Sequence, residues 1–77
     1  MRVTVHFYAV LADRAGQRER TVQIADGTTV EQLYKQLFAD EAERLPVMFA
    51  VNQEYVSGEM ILAQGDELAF IPPLGGG

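Results

Sequence analysis

Few residues in this chain of 77 could do chemistry unaided. There is no cysteine, so the chain offers neither a thiolate nucleophile nor a persulfide of its own. The patterns HExxH, GxxxxGK[ST] and CxxC are absent, and His6 has no second histidine to join it in a ligand set. His6 falls on the polar side of an alternating stretch and is read as a surface residue without a catalytic role. Asp40, Glu41 and Glu43 with Arg44 form a carboxylate-rich run. Neighbouring loop positions do not supply the convergent geometry of a metal or acid–base site, so the run is read as solvated charge.

The carboxyl end differs in kind. Pro72-Pro73-Leu74-Gly75-Gly76-Gly77 stiffens for two residues and finishes in glycines that have no side chain to bury. Residues 72–77 are therefore read as a flexible tail on a single domain spanning 1–77. Extended, the last five residues reach roughly 16 to 18 Å, enough to enter the active-site channel of another protein. Without a Cβ, glycine threads a narrow passage and leaves the terminal carbonyl open to attack. By residue type alone, the same tail also fits an ordinary frayed end.

The elements that would position this tail are legible from periodicity. Val3, Val5, Phe7 and Ala9 alternate with Arg2, Thr4, His6 and Tyr8, the period of a strand with one buried face. Phe7 is then core, while Tyr8 presents an amphipathic ring to a contact surface or to solvent. Leu11 to Ala15 is helix-compatible, Gly16 breaks it, and Thr21 to Ile24 resumes a β-branched pattern that pairs with the first strand as a loose hairpin. Thr28 and Thr29 both qualify as N-caps, with Glu31 completing a capping box to Thr28. Val30, Leu33, Tyr34, Leu37 and Phe38 share one helical face, and Glu31 and Lys35 are spaced to pair outside it. Ala39 to Leu45 extends the helix or forms a loop, and Pro46 ends either. Val47 to Val51, Tyr55-Val56 and Leu68 to Ile71 read as further strands, with turns at Ser57-Gly58 and Gly65-Asp66.

Strands, one main helix, then strands again predict an α+β domain, a mixed sheet with the helix packed across one face. The last strand is apolar on both sides, Leu68 and Phe70 alternating with Ala69 and Ile71, although one helix covers only one face. The second face is either a partly covered central strand or a docking patch.

Eleven acidic against six basic residues give a net charge of −5. That sign opposes binding to nucleic acid or to an anionic membrane and favours a basic protein partner. No stretch approaches the ~20 apolar residues that span a bilayer, and Met1 to Val10 lacks the apolar run of a signal peptide, so the expected location is cytoplasmic.

Several segments together resemble a known family. They are Val5-His6-Phe7-Tyr8-Ala9, Thr29-Val30-Glu31-Gln32-Leu33, Phe49-Ala50-Val51-Asn52-Gln53-Glu54-Tyr55-Val56, the run from Gly65 to Pro73, and the closing Gly76-Gly77. Over nearly its whole length the chain is similar to the small subunit of molybdopterin synthase, a β-grasp, ubiquitin-like sulfur carrier related to the thiamine sulfur carrier. The Pro72-Pro73 pair resembles the molybdopterin branch more than the thiamine branch. Gly75 departs from the small residue more usual there, which loosens the tail without blocking it.

The resemblance implies a carrier, not an enzyme on its own. An E1-like adenylating enzyme would use ATP to activate the Gly77 carboxylate, and a sulfurtransferase would convert it to a thiocarboxylate. The large synthase subunit, in a heterotetramer of two small and two large subunits, would house transfer to a cyclic pyranopterin phosphate. Gly75 and Gly76 would thread the partner's active site, while Tyr8, Ile71, Pro72, Pro73 and Leu74 would contribute to docking. No metal or cofactor is expected on this chain. The alternatives are a carrier for thiamine or another sulfur pathway, a protein modifier, and a non-catalytic β-grasp interaction module with an inert tail.

Overall fold

The computed structural model describes residues 1–8, 10–39 and 46–72. Residues 40–45, which hold the carboxylate run and most of the stretch expected to extend the helix or form a loop, lie outside the described residues, as do Ala9 and Pro73 to Gly77. The elements, in order, are β1 (Arg2–Phe7), α1 (Val10–Ala15), β2 (Glu19–Gln23), α2 (Val30–Leu37), β3 (Met48–Val51), β4 (Glu54–Val56) and β5 (Glu67–Ile71).

The alternation read in the first segment is realised as β1, whose Val3, Val5 and Phe7 are all buried. β2 begins earlier than expected, at Glu19, and ends at Gln23. Glu19 and Arg20 have little strand propensity, but they face His6 and Val5 across an antiparallel ladder, and the partner backbone decides the conformation.

The start of α2 separates the two threonines. Thr29 is the N-cap: its hydroxyl accepts from the Gln32 N–H at 3.2 Å, and Gln32 Oε1 accepts from the Thr29 N–H at 2.9 Å. The capping-box partner is therefore Gln32 and not Glu31. Thr28 is instead buried and its hydroxyl donates to the Ala25 carbonyl at 2.6 Å. Glu31 makes the expected pair with Lys35 at 3.4 Å. Val30, Leu33 and Tyr34 face inward along α2, and Phe38 closes it as the buried C-cap residue.

The segment following β4 supplies further partners for the first turn of α2. The Val30 N–H donates to Met60 O and the Glu31 N–H to Gly58 O, both at 3.0 Å. This close approach explains Gly58. A Cβ there would lie 2.9 Å from Glu31 Cβ and 3.1 Å from Phe49 Cε2. Gly58→Ala is expected to destabilise the fold by roughly 1–3 kcal/mol through overpacking, measured as a lowered urea midpoint with an unchanged m-value.

The sheet order is β2-β1-β5-β3-β4. β1 and β5 run parallel at its centre, and every other neighbouring pair is antiparallel. The mixed sheet with its helix bears out the α+β expectation. Five aromatic rings hold α2 to the sheet. Phe70, fully buried on β5, has the Tyr34, Phe49 and Phe7 ring centroids at 4.9, 5.7 and 6.4 Å, while Phe38 meets Phe7 edge-on at 5.9 Å. Leu11 of α1 joins the same core.

Candidate functional site

The face of the sheet turned away from this core carries the other half of each alternation. Strand register arranges it in rows. Glu19, His6, Ala69, Ala50 and Tyr55 lie side by side across all five strands. One row toward the end of β5, Ile71 faces Met48, with Tyr8 beside them following β1. One row the other way, Thr21, Thr4 and Glu67 align.

The rows differ in chemistry. Tyr8, Met48 and Tyr55 are large, apolar-bodied and 51%, 52% and 69% exposed. Ala50 and Ala69 form a low floor between them and Glu67, so the face holds a shallow depression of about 520 Å³. Its apolar end is where the chain leaves the sheet at Ile71-Pro72, and its polar end is lined by Asn52, Gln53 and Glu67.

The polar end is tied down locally. Asn52, at φ +50°, donates from Nδ2 to Asp66 Oδ1 at 3.0 Å and accepts the Glu67 N–H on Oδ1 at 3.1 Å. Asp66 Oδ2 accepts the Ala63 N–H at 2.8 Å, so this buried carboxylate joins the β3–β4 turn to the start of β5. Gln53 follows at φ +72°, a left-handed conformation that favours glycine. His6 Nε2 lies 3.1 Å from Glu67 Oε1, and its Nδ1 lies 3.7 Å from Glu19 Oε1. The carboxylates approach opposite ring nitrogens and share no common point, and among the described residues no group of histidines and carboxylates could hold a metal ion.

Of the residues singled out from sequence, Tyr8 and Ile71 line the same depression and Pro72 directly follows it. Pro73, Leu74, Gly75, Gly76 and Gly77 lie outside the described residues. Sequence reasoning missed Met48, Ala50 and Tyr55 as members of this face. The signal lay in the polar-side parity of β3 and β4, which a continuous apolar run such as Val47 to Val51 conceals. No helix among the described residues is long and apolar enough to cross a membrane.

Comparison with known proteins places this geometry. The profile of the ThiS family matches residues 5–77. The molybdopterin synthase sulfur carrier subunit of Chlamydomonas reinhardtii is 40% identical over 83 aligned positions, covering 100% of both chains. The structure of Haloferax volcanii small archaeal modifier protein 1 superposes with a TM-score of 0.81 at 25% identity, covering 95% of this chain and 98% of that one. A complex of subunits 1 and 2 of the molybdopterin-converting factor from Helicobacter pylori contains a chain of the same fold, with a TM-score of 0.67 at 20% identity and all of each chain covered. The chain therefore belongs to the ThiS family, as a ubiquitin-like β-grasp domain akin to the sulfur carrier subunits of molybdopterin synthase.

Proposed function

We propose that this chain is the sulfur carrier subunit of a molybdopterin synthase, holding sulfur as a thiocarboxylate on Gly77 and donating it to cyclic pyranopterin monophosphate to form the dithiolene. The observation that carries the reading is the coincidence of the exposed apolar patch with the exit of the chain. Tyr8, Ile71 and Met48 surround the point where β5 hands over to Pro72, so a partner seated on them meets the last six residues at once. The kinship to carrier subunits supports the same reading.

The chemistry follows from the α-carboxylate. It is ionised at neutral pH, with an ordinary pKa near ~3.5, and is a poor electrophile until one oxygen becomes a leaving group. An adenylating partner consumes ATP, attaching AMP to the Gly77 carboxylate and releasing pyrophosphate. A sulfide equivalent from a sulfurtransferase then displaces AMP. The resulting thiocarboxylate is a soft nucleophile, and since each carrier brings one sulfur, two must act per dithiolene. Pro72 and Pro73 stiffen the root of the arm, Leu74 completes the docking surface, and Gly75 and Gly76 thread the channel of the large subunit. The −5 charge favours docking beside a pocket made basic for a phosphate substrate. The proposed assembly is a heterotetramer of two small and two large subunits in the cytoplasm, with no cofactor on this chain.

Intact mass of the protein from its native host tests the reading. The expected result is a species heavier by sulfur in place of oxygen, mapped to Gly77. An unmodified terminus that persists with ATP, a sulfur donor and the cognate activating enzyme would return the chain to a β-grasp interaction module. The likeness to the archaeal modifier favours a second reading, in which the same activated carboxyl acylates an amine; isopeptides ending in Gly77 would mark it.

A further inference from the structure

On the uncovered face two carboxylates gather around His6, between the apolar rows near Pro72 and Arg2 at the far end of β1. Glu19 and Glu67 flank His6, with their side chains 63% and 64% exposed. Two carboxylates against at most one imidazolium leave the group negative in either protonation state of His6. A partner that covers the apolar rows brings low-dielectric surface to the edge of Glu67. Glu67 already has one oxygen on His6 Nε2, and a partner that strips water from its other oxygen without supplying a donor is disfavoured.

The shape of the face narrows what that counter-charge is. Ala50 and Ala69 lie side by side between the apolar rows and Glu67, leaving a floor on which a long unbranched side chain can rest. Tyr55 stands beside that floor, opposite Ala50, and is largely exposed. A guanidinium matches this setting better than an ammonium, because it bonds a carboxylate through two parallel N–H groups and stacks its plane on an aromatic ring. Gln53, at the rim of the same depression, keeps a side chain where the backbone favours glycine, and its amide oxygen is a further acceptor for the same donor.

Resting on the carrier reading, we propose that the protein docked on this face lays an arginine side chain across Ala50 and Ala69 and bonds Glu67 with its guanidinium. Glu67 thereby selects the partner, while the apolar rows around Tyr8 and Ile71 supply contact area.

The test titrates the full chain into its cognate large subunit by calorimetry at low and high salt, with three variants. Glu67→Gln is expected to weaken binding roughly tenfold, and Glu67→Arg about a hundredfold, both with a flatter salt dependence. Thr4→Arg leaves Glu67 intact but sets a cation directly opposite it in the β1–β5 register, and is expected to weaken binding like Glu67→Gln. Residues 4 and 67 lie on the uncovered face, so melting temperatures should stay within a few degrees of the parent. Unchanged affinity in all three variants, with normal binding by the parent, overturns the inference and leaves the carrier reading standing. A parent chain that does not bind the large subunit overturns the carrier reading and this inference with it.

Discussion

A chain lengthened by one alanine after Gly77 is expected to lose sulfur transfer while melting with the parent. The reacting group in the proposed cycle is the terminal carboxyl, and one more residue moves it by about 3.5 Å and puts a Cβ on the carbon beside it. Misplacing a reacting atom by ~1 Å can already cost a factor on the order of 10². The lengthened chain should therefore show transfer reduced at least a hundredfold in a single-turnover assay with the large subunit. The proposed docking face around Tyr8 and Ile71 is untouched, so affinity should hold within about threefold. Loss of transfer together with retained binding separates chemistry at Gly77 from a mere contact role of the tail. Transfer at the parental rate would remove Gly77 from the mechanism.

Truncating Phe70 is the largest expected loss of stability. Phe70 is fully buried on central β5, and its ring meets Phe7 of β1, Tyr34 of α2 and Phe49 of β3. Phe70→Ala deletes the centre of this cluster and should cost about 3–5 kcal/mol. Domains of this class are stable by only ~5–15 kcal/mol, and a short chain with no cysteine sits toward the lower end. At roughly 4–8 °C per kcal/mol, the melting temperature should fall by at least about 12 °C. Phe70→Leu keeps most of the volume and should lose less than half as much. A drop of under about 1 kcal/mol for the alanine variant would mean that the aromatic cluster does not hold α2 to the sheet.

The two variants act at opposite ends of one design. β5 is the strand in which core and site meet: Leu68 and Phe70 point into the core, while Glu67, Ala69 and Ile71 face the uncovered side. The strand then hands the chain to Pro72. Anchoring of β5 on both sides, by β1 and by β3, gives the proposed arm a rigid root. A delivery arm gains from such a root because only the last few residues then have to be ordered when the partner closes on them.

Much of the fold was legible because its signals are local. The two-residue period of Val3, Val5 and Phe7 specifies a strand with one buried face. The helical spacing of Val30, Leu33 and Tyr34 specifies an inward stripe whatever lies beneath it. Where two local answers were chemically equivalent, the sequence did not choose. Thr28 and Thr29 are both good caps, and Gln32 rather than Glu31 closes the box because the backbone enters the helix one residue later. The extension of β2 back to Glu19 was hidden for a similar reason, since a partner strand holds those charged residues in line.

By itself the sequence determined the α+β class, the main helix, the lack of cysteine and the run of three glycines at 75–77, because these depend on residue type and short-range period. Its match to known segments added the family. The tertiary structure alone decided that β1 and β5 pair in parallel and that β3 and β4 bring Met48, Ala50 and Tyr55 beside Ile71 and Tyr8. It also decided that Glu67 meets His6 across the sheet. Those neighbours are far apart along the chain, and no local preference encodes the register that joins them; it is fixed when the aromatic core closes and every strand must present its apolar parity to α2.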